Sequence, residues 1–294
     1  MMENAYEQAD SHPADSALTR EGKAPVIDLR IDRLDRYRDE DLERLEGFLS
    51  PDQREKLSSI RNKKARRQSA LAADLLEGAF LDLGIHGPLH YGKLSNGKPC
   101  LIDQKEVDFS VSHAGNLAAA AAIRFSNPTS EGTQKHDMSL QPGMAADSGS
   151  GNSIAASFHP CLGIDVEDLT FRKKDPDLLN RLSERFFRPE EARIVREGLA
   201  DGLSFSWEEE DLKLDDETRL IRRFYRIWTF KEAFAKAMDR PLIQVMKEEP
   251  YGPDRPDLLC MAGSDSILSL VLAGQKISPE NVLLHGSFRE PHKK

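Results

Sequence analysis

Two carboxylates two residues apart, Asp165 and Glu167, stand in the segment Cys161-Leu-Gly-Ile-Asp-Val-Glu167. If this segment is extended, Leu162, Ile164 and Val166 face a core while Asp165 and Glu167 point together to the other side. Their Cα atoms are then about 6.5 Å apart, close enough for both carboxylates to reach one hard cation. An edge strand with a solvated polar face has the same alternation. A second group is Trp228-Thr-Phe-Lys-Glu-Ala-Phe-Ala-Lys236. On a helix, Phe230, Phe234 and Met238 form one stripe, and Trp228, Glu232 and Lys236 lie opposite, so an acid and a base share a face. Thr229 with Glu232 also fits a capping box, and Glu232 to Lys236 is a favourable i,i+4 ion pair.

A third group, Asp108-Phe-Ser-Val-Ser-His113, reads as a strand ending in a hydroxyl and an imidazole. No Gly-x-Ser-x-Gly elbow accompanies it, which argues against a serine hydrolase. A fourth is a local reversal of charge: Arg54 to Arg67 holds seven basic residues and one acid. A hard-cation carboxylate pair with several cationic side chains suits a polyphosphate substrate, because the metal bridges phosphate oxygens and Lys or Arg neutralises the rest. The chain has no Gly-x-x-x-x-Gly-Lys-Ser/Thr loop, no Gly-x-Gly-x-x-Gly after a strand and no His-Glu-x-x-His, so phosphate handling falls to side chains.

The elements that must position these groups follow from periodicity and turn signals. Val26 to Ile31 alternates as a strand, and Leu42 to Leu49 reads as a helix closing at Ser50-Pro51. Asp52 to Leu83 has helical spacing, as one long helix or a pair. Asn96-Gly97 marks a hairpin within Tyr91 to Ile102. Strands are expected at Val107 to Val111, Leu117 to Ile123, Cys161 to Glu167, Ile267 to Leu272 and Val282 to Ser287. Helices are expected from Pro189 and, most strongly, over Phe230 to Met238. Residues 1–23 are polar and read as a disordered tail. Ser126 to Ser157 contains seven serines, four glycines and two prolines among 32 residues and reads as a flexible insertion. Asp201 to Arg222, with eight acids and three bases, reads as a solvated excursion.

Composition bounds the function. The chain has 294 residues, 41 Lys+Arg and 50 Asp+Glu, giving a formal charge of −9, the wrong sign for a nucleic-acid binder. No run approaches the roughly 18 apolar residues of a membrane span. The N-terminus lacks the basic and apolar regions of a secretory signal. Three scattered cysteines, Cys100, Cys161 and Cys260, suit a reducing compartment rather than a disulfide framework. A cytoplasmic location, no nucleic acid and no membrane are therefore expected, and a monomer is expected as well.

Gly163-Ile-Asp-Val-Glu167 followed by Phe224-Tyr-Arg-Ile-Trp-Thr-Phe-Lys-Glu-Ala-Phe-Ala-Lys236 resembles the signature pair of the 4'-phosphopantetheinyl transferase superfamily, of the surfactin-synthetase-activating type. Ser50-Pro-Asp-Gln-Arg-Glu-Lys56, Gly97-Lys-Pro99 and Phe109-Ser-Val-Ser-His113 agree with it upstream and in order. The resemblance implies transfer of the phosphopantetheine arm of coenzyme A to a serine of an apo acyl or peptidyl carrier protein, with release of adenosine 3',5'-bisphosphate. It implies an α+β fold of two similar α+β halves related by a pseudo-twofold axis, with coenzyme A between them. The expected division is an N-terminal half over 24–125, the insertion over 126–158, and a C-terminal half over 159–294 carrying the magnesium site.

By the same resemblance, Asp165, Glu167 and Glu232 bind Mg²⁺, and Glu191 matches a further acid near the metal, with Glu190 as its alternative. Lys236 neutralises the pyrophosphate. Lys98, Ser112 and His113 match positions contacting the nucleotide and its 3'-phosphate, as does the basic segment through Lys56 with Arg66 or Arg67. Glu232, Lys236 and His113 are the catalytic candidates, and the base is Glu232 or a metal-bound water. His113 and Asp165 lie 52 residues apart, a longer link than is usual in the family. The competing readings are a non-catalytic coenzyme A or carrier-binding module and another Mg-dependent phosphoryl-transfer enzyme.

Overall fold

Ile27, Leu29 and Ile31 alternate with Asp28, Arg30 and Asp32, and Ile27–Arg33 forms the first strand, β1, of a computed structural model. The structure describes residues 25–125, 161–171, 173–198, 211, 213–252 and 254–286. The expected tail over 1–23 and the insertion over 126–158 lie outside the described residues. A single 3₁₀ turn after β1 leads to α1 (Asp39–Phe48). Ser50 then caps α2 (Pro51–Ser58) by accepting from the Gln53 amide, with Pro51 in the first turn. The Asp52 to Leu83 stretch is thus a pair of helices. Asn62 starts the second, α3 (Lys63–Asp82), by accepting from the Ala65 amide at 3.0 Å.

A short hairpin, β2 (Tyr91–Lys93) and β3 (Pro99–Leu101), follows, with Gly97 at φ +90 in its turn. Next come β4 (Val107–Ala114) and β5 (Leu117–Arg124). The C-terminal part begins with β6 (Leu162–Asp168). It continues with α4 (Pro176–Phe186), which the sequence reading did not anticipate, and α5 (Pro189–Glu197). Then follow α6 (Asp216–Ala237), α7 (Leu242–Glu248), β7 (Leu258–Ala262), β8 (Ser266–Leu272) and β9 (Val282–His285).

The strands build a four-stranded sheet in the order β4-β5-β1-β9 and a three-stranded sheet in the order β6-β8-β7. Their inner faces meet in one core: Ile27, Leu29, Ile31, Ala119, Ala121 and Ile123 pack with Leu162, Ile164, Val166, Leu268 and Leu270. On the outer face of the first sheet, Leu76, Ala79 and Phe80 of α3 cover Phe109, Ala120 and Ala122. Outside the second, Phe230, Ala233 and Phe234 of α6 cover Leu258 and Val271. The arrangement is helix, sheet, sheet, helix, a mixed α+β architecture.

Both parts follow one connectivity. Setting aside the β2–β3 hairpin, which forms its own sheet, a strand is followed by helices and then by two strands, the last of which inserts in the middle to give β1-β5-β4 and β6-β8-β7 with antiparallel neighbours. The final strand breaks the scheme, since β9 leaves the C-terminal part and pairs in parallel with β1. The segment expected as a solvated excursion is helical from Asp216, and Arg222 is buried in it, paired with Asp211. Residues 201–210 and 212 of that segment lie outside the described residues.

Candidate functional site

β6 positions the strand carboxylates. Leu162, Ile164 and Val166 face the inter-sheet core, and Gly163, Asp165 and Glu167 face outward, beneath α6. Gly163 sets the spacing, because a Cβ there would lie 1.9 Å from the carbonyl oxygen of Ala233. The strand is therefore held against the helix that carries Glu232 and Lys236, and a larger residue would push the two apart.

The free edge of β6 meets the face of β4 rather than another strand edge, and side chains complete its hydrogen bonds. Asp108, Ser110 and Ser112 alternate along β4 and accept from the amides of Leu162 (2.8 Å), Ile164 (3.1 Å) and Val166 (3.4 Å). Two lysines satisfy the carbonyls of the same edge: Lys98 Nζ donates to Leu162 O at 2.9 Å and Lys236 Nζ to Ile164 O at 2.9 Å. An edge that would otherwise expose unpaired backbone groups is thus closed at the seam between the two sheets. Lys98 is itself buried and paired with Asp108 at 2.8 Å, so the structure uses this sequence candidate within the seam.

Around this edge the titratable groups gather. Asp165 Oδ1 accepts from Ser112 Oγ at 2.7 Å and from Lys236 Nζ at 2.7 Å. Burial, with the negative charge of Asp165 added, raises the Glu232 carboxyl above its ordinary range against the opposing pull of Lys236. Burial raises Glu167 to about 7, Lys174 working in the opposite direction from 3.8 Å. Both shifts express carboxylates confronting one another away from water, an arrangement relieved by a proton or by a cation. All three side chains offer hard oxygen donors, and this set fits Mg²⁺. Their ligand atoms are not all within 4.8 Å of one another, and the Lys236 ammonium pairs with Asp165.

His113 stands at the end of β4, with its ring reaching solvent. Crowding by protein atoms, followed by the charges of Lys236 and Lys56, holds its imidazole below the usual range, with Asp165 opposing. Lys56, exposed on α2, is thereby close enough to act on the same group. A cavity of about 360 Å³ opens between the two parts, bounded by Lys98, Pro99 and Ser110 on one side and Glu232, Lys236 and Asp239 on the other.

Other sequence candidates are placed elsewhere. Glu191 is buried, paired with Lys231 at 2.7 Å, and accepts from the amides of Arg188 and Tyr251. Its oxygens close a buried structural contact, and the structure does not bring it to the carboxylate set. Glu190, its alternative, is an exposed partner of Arg188 at 3.8 Å. Arg66 forms two hydrogen bonds to Glu46 on α1, and Arg67 donates to Tyr37 O and pairs with Asp39. The acids of α1 therefore quench much of the basic run that stands out in the sequence.

The capping-box reading of Glu232 also fails. α6 begins at Asp216 with Asp215 as its cap, so Glu232 lies well inside the helix, and Thr229 bonds Ser269 and Arg226 O instead. Sequence reasoning missed Asp108 and Ser110 as seam residues. The alternation of Asp108, Ser110 and Ser112 with Val107, Phe109 and Val111 was visible, but nothing local shows that a polar strand face meets a strand edge.

Residues 161–250 match the sequence model of the 4'-phosphopantetheinyl transferase superfamily. That span includes β6 and α6, and with them Asp165, Glu167, Glu232 and Lys236. No curated protein matches the chain. A crystal structure of a holo-(acyl-carrier-protein) synthase from Bacillus anthracis in complex with CoA (3',5'-ADP) is similar at 19% identity and a TM-score of 0.28. The alignment covers 35% of this chain and 100% of that one. A match that shallow carries no further argument.

Proposed function

We propose that this chain is a magnesium-dependent 4'-phosphopantetheinyl transferase of the surfactin-synthetase-activating type, acting as a cytoplasmic monomer on apo acyl or peptidyl carrier proteins. The observation that carries the reading is the convergence of Asp165, Glu167, Glu232 and Lys236 between β6 and α6, inside the segment that matches the superfamily. The shared connectivity of the two parts supports the pseudo-twofold arrangement that belongs to this proposal.

In the proposed reaction, the carrier serine oxygen bonds to the β-phosphorus of coenzyme A. The bond from that phosphorus to the bridging oxygen breaks, and adenosine 3',5'-bisphosphate departs with the bond's electron pair. Asp165, Glu167 and Glu232 would hold Mg²⁺, which when bound neutralises pyrophosphate oxygens. Ser112 positions Asp165 through its 2.7 Å hydrogen bond. Lys236 lines the cavity, where its ammonium would move from Asp165 to the departing phosphate. Glu232 would be the protein group to take the serine proton. His113 and Lys56 supply polar and cationic contacts at the same edge.

Incubation with coenzyme A, Mg²⁺ and a panel of apo carriers, followed by mass spectrometry of the carrier, tests this reading. A gain of the phosphopantetheine mass on a carrier serine supports it. Tight coenzyme A binding without mass gain replaces it with a binding module. Coenzyme A cleavage that needs no carrier replaces it with a different phosphoryl-transfer enzyme.

A further inference from the structure

Away from the cleft, a second set of chemistry-bearing side chains converges on the N-terminal sheet. Asp28 of β1, Asp82 at the end of α3 and His285 at the end of β9 each bring a ligand atom within 4.8 Å of the others, the one such set of three among the described residues. His285 Nε2 lies 3.3 Å from Asp28 Oδ2 and 3.6 Å from Asp82 Oδ2. Ligands held about 2.0–2.1 Å from a tetrahedral zinc ion stand roughly 3.3 Å from one another. The two distances from His285 Nε2 are close to that of adjacent corners of such a shell.

An independent observation points to a missing partner. The Asp28 side chain is 0% exposed, and its Oδ2, the oxygen aimed at His285, accepts no hydrogen bond. A buried carboxylate oxygen without a donor is costly. Arg30 does not fill the gap at Asp28: its Nε donates to the other oxygen, Oδ1, at 2.9 Å, and its Nη2 donates to Asp82 Oδ2. Two carboxylates and one guanidinium leave one negative charge.

The fold fixes the third ligand. Arg30 and His285 are opposite one another in the parallel β1–β9 ladder. The next residue, Gly286, has φ +108, and a Cβ there would lie 1.9 Å from Ile31 O, so the chain presses onto β1 where only glycine fits. Asp82 and His285 are half-exposed, which leaves an entry path and room for a water as fourth ligand.

We propose that Asp28, Asp82 and His285 form a binding site for a divalent transition-metal ion of the zinc class, which pins strand β9 to β1 and to the end of α3. One imidazole nitrogen with two carboxylate oxygens suits Zn²⁺, Co²⁺ or Ni²⁺ better than Mg²⁺, which takes an octahedral shell of oxygens. The site is therefore chemically distinct from the carboxylates of the cleft and does not depend on the transferase reading.

Titration of the metal-free full-length chain with Co²⁺ and then Zn²⁺, read by visible absorption and thermal unfolding, tests the proposal. A saturable Co²⁺ band of tetrahedral type is expected, displaced by Zn²⁺ and accompanied by a rise in Tm. Asp82→Asn and His285→Gln, at half-exposed positions, are each expected to remove the band and weaken Zn²⁺ binding roughly tenfold or more. Asp165→Ala is expected to leave the band in place. Absence of saturable Co²⁺ or Zn²⁺ binding overturns the site, as does binding undiminished in both variants. A Tm that depends on His285 but not on metal also overturns it, since His285 would then act only as an imidazolium partner of the two acids.

Discussion

Glu232 lies well inside α6 and caps nothing, so a change there removes no helix cap. Glu232→Gln keeps the side-chain volume and removes a metal oxygen and a base. Its Tm at neutral pH is expected to equal or exceed that of the parent, because the variant no longer carries a carboxyl that burial raises, while carrier modification falls about a hundredfold or more, as mass spectrometry of the carrier would read. A parental rate would remove Glu232 from the site. Glu77 on α3 offers a contrasting carboxylate. It is half-buried, its Oε1 has no hydrogen-bond partner, and burial raises its carboxyl against the help of Tyr91. Because its folded value exceeds its unfolded one, the folded state holds the proton more tightly. Stability therefore falls as pH rises from about 4.3 through the raised folded value. Glu77→Gln is expected to be as stable as the parent or more so at pH 8, with the advantage fading toward pH 4. Calorimetry at both pH values checks this, and an advantage that grows on acidification would contradict it.

The strand–helix contacts β6–α6 and β1–α3 show how one connectivity serves two ends. In the first, Gly163 brings backbones together and Asp165 is left to a lysine and a hydroxyl. In the second, Gly78 accommodates the guanidinium of Arg30, which pairs with both Asp28 and Asp82. Gly163→Ala must separate β6 from α6, because the new methyl would fall 1.9 Å from a backbone oxygen that no rotamer change can move. A loss of about 1–3 kcal/mol is expected in denaturant unfolding, with activity lost in step. An alanine variant of parental stability would show that the helix shifts freely over the strand.

For the whole molecule, the seam between the sheets is the feature on which the cleft depends. Asp108 accepts from Lys98 and from the amides of Cys161 and Leu162, and it is 1% exposed. Asp108→Ala would leave a buried ammonium and two amides unpaired, for an expected cost of about 3–5 kcal/mol. Asp108→Asn, which keeps an acceptor, should cost less. Urea unfolding distinguishes the two, and equal midpoints for parent and Asp108→Ala would deny the seam its role. Since this seam seats the start of β6, a shorter linker in place of residues 126–158 is expected to leave transfer within a few fold of the parent. Loss of coenzyme A affinity in that variant would assign the segment a part in binding.

The sequence alone determined what repeats over a few residues. The parity of β6, with Leu162, Ile164 and Val166 inward and Asp165 and Glu167 outward, was legible because side chains on a strand alternate. So were the helix boundary at Ser50-Pro51, the turn at Gly97 and the buried Phe230 and Phe234, which follow from capping, backbone freedom and helical spacing. Only the tertiary structure decided which charge meets which. Glu191 found Lys231, Arg66 found Glu46, Lys98 found Asp108, and β9 returned to β1. Pairings across such sequence distances arise from the packing of whole elements, and charge or periodicity within any one segment carries no record of the surface it will meet.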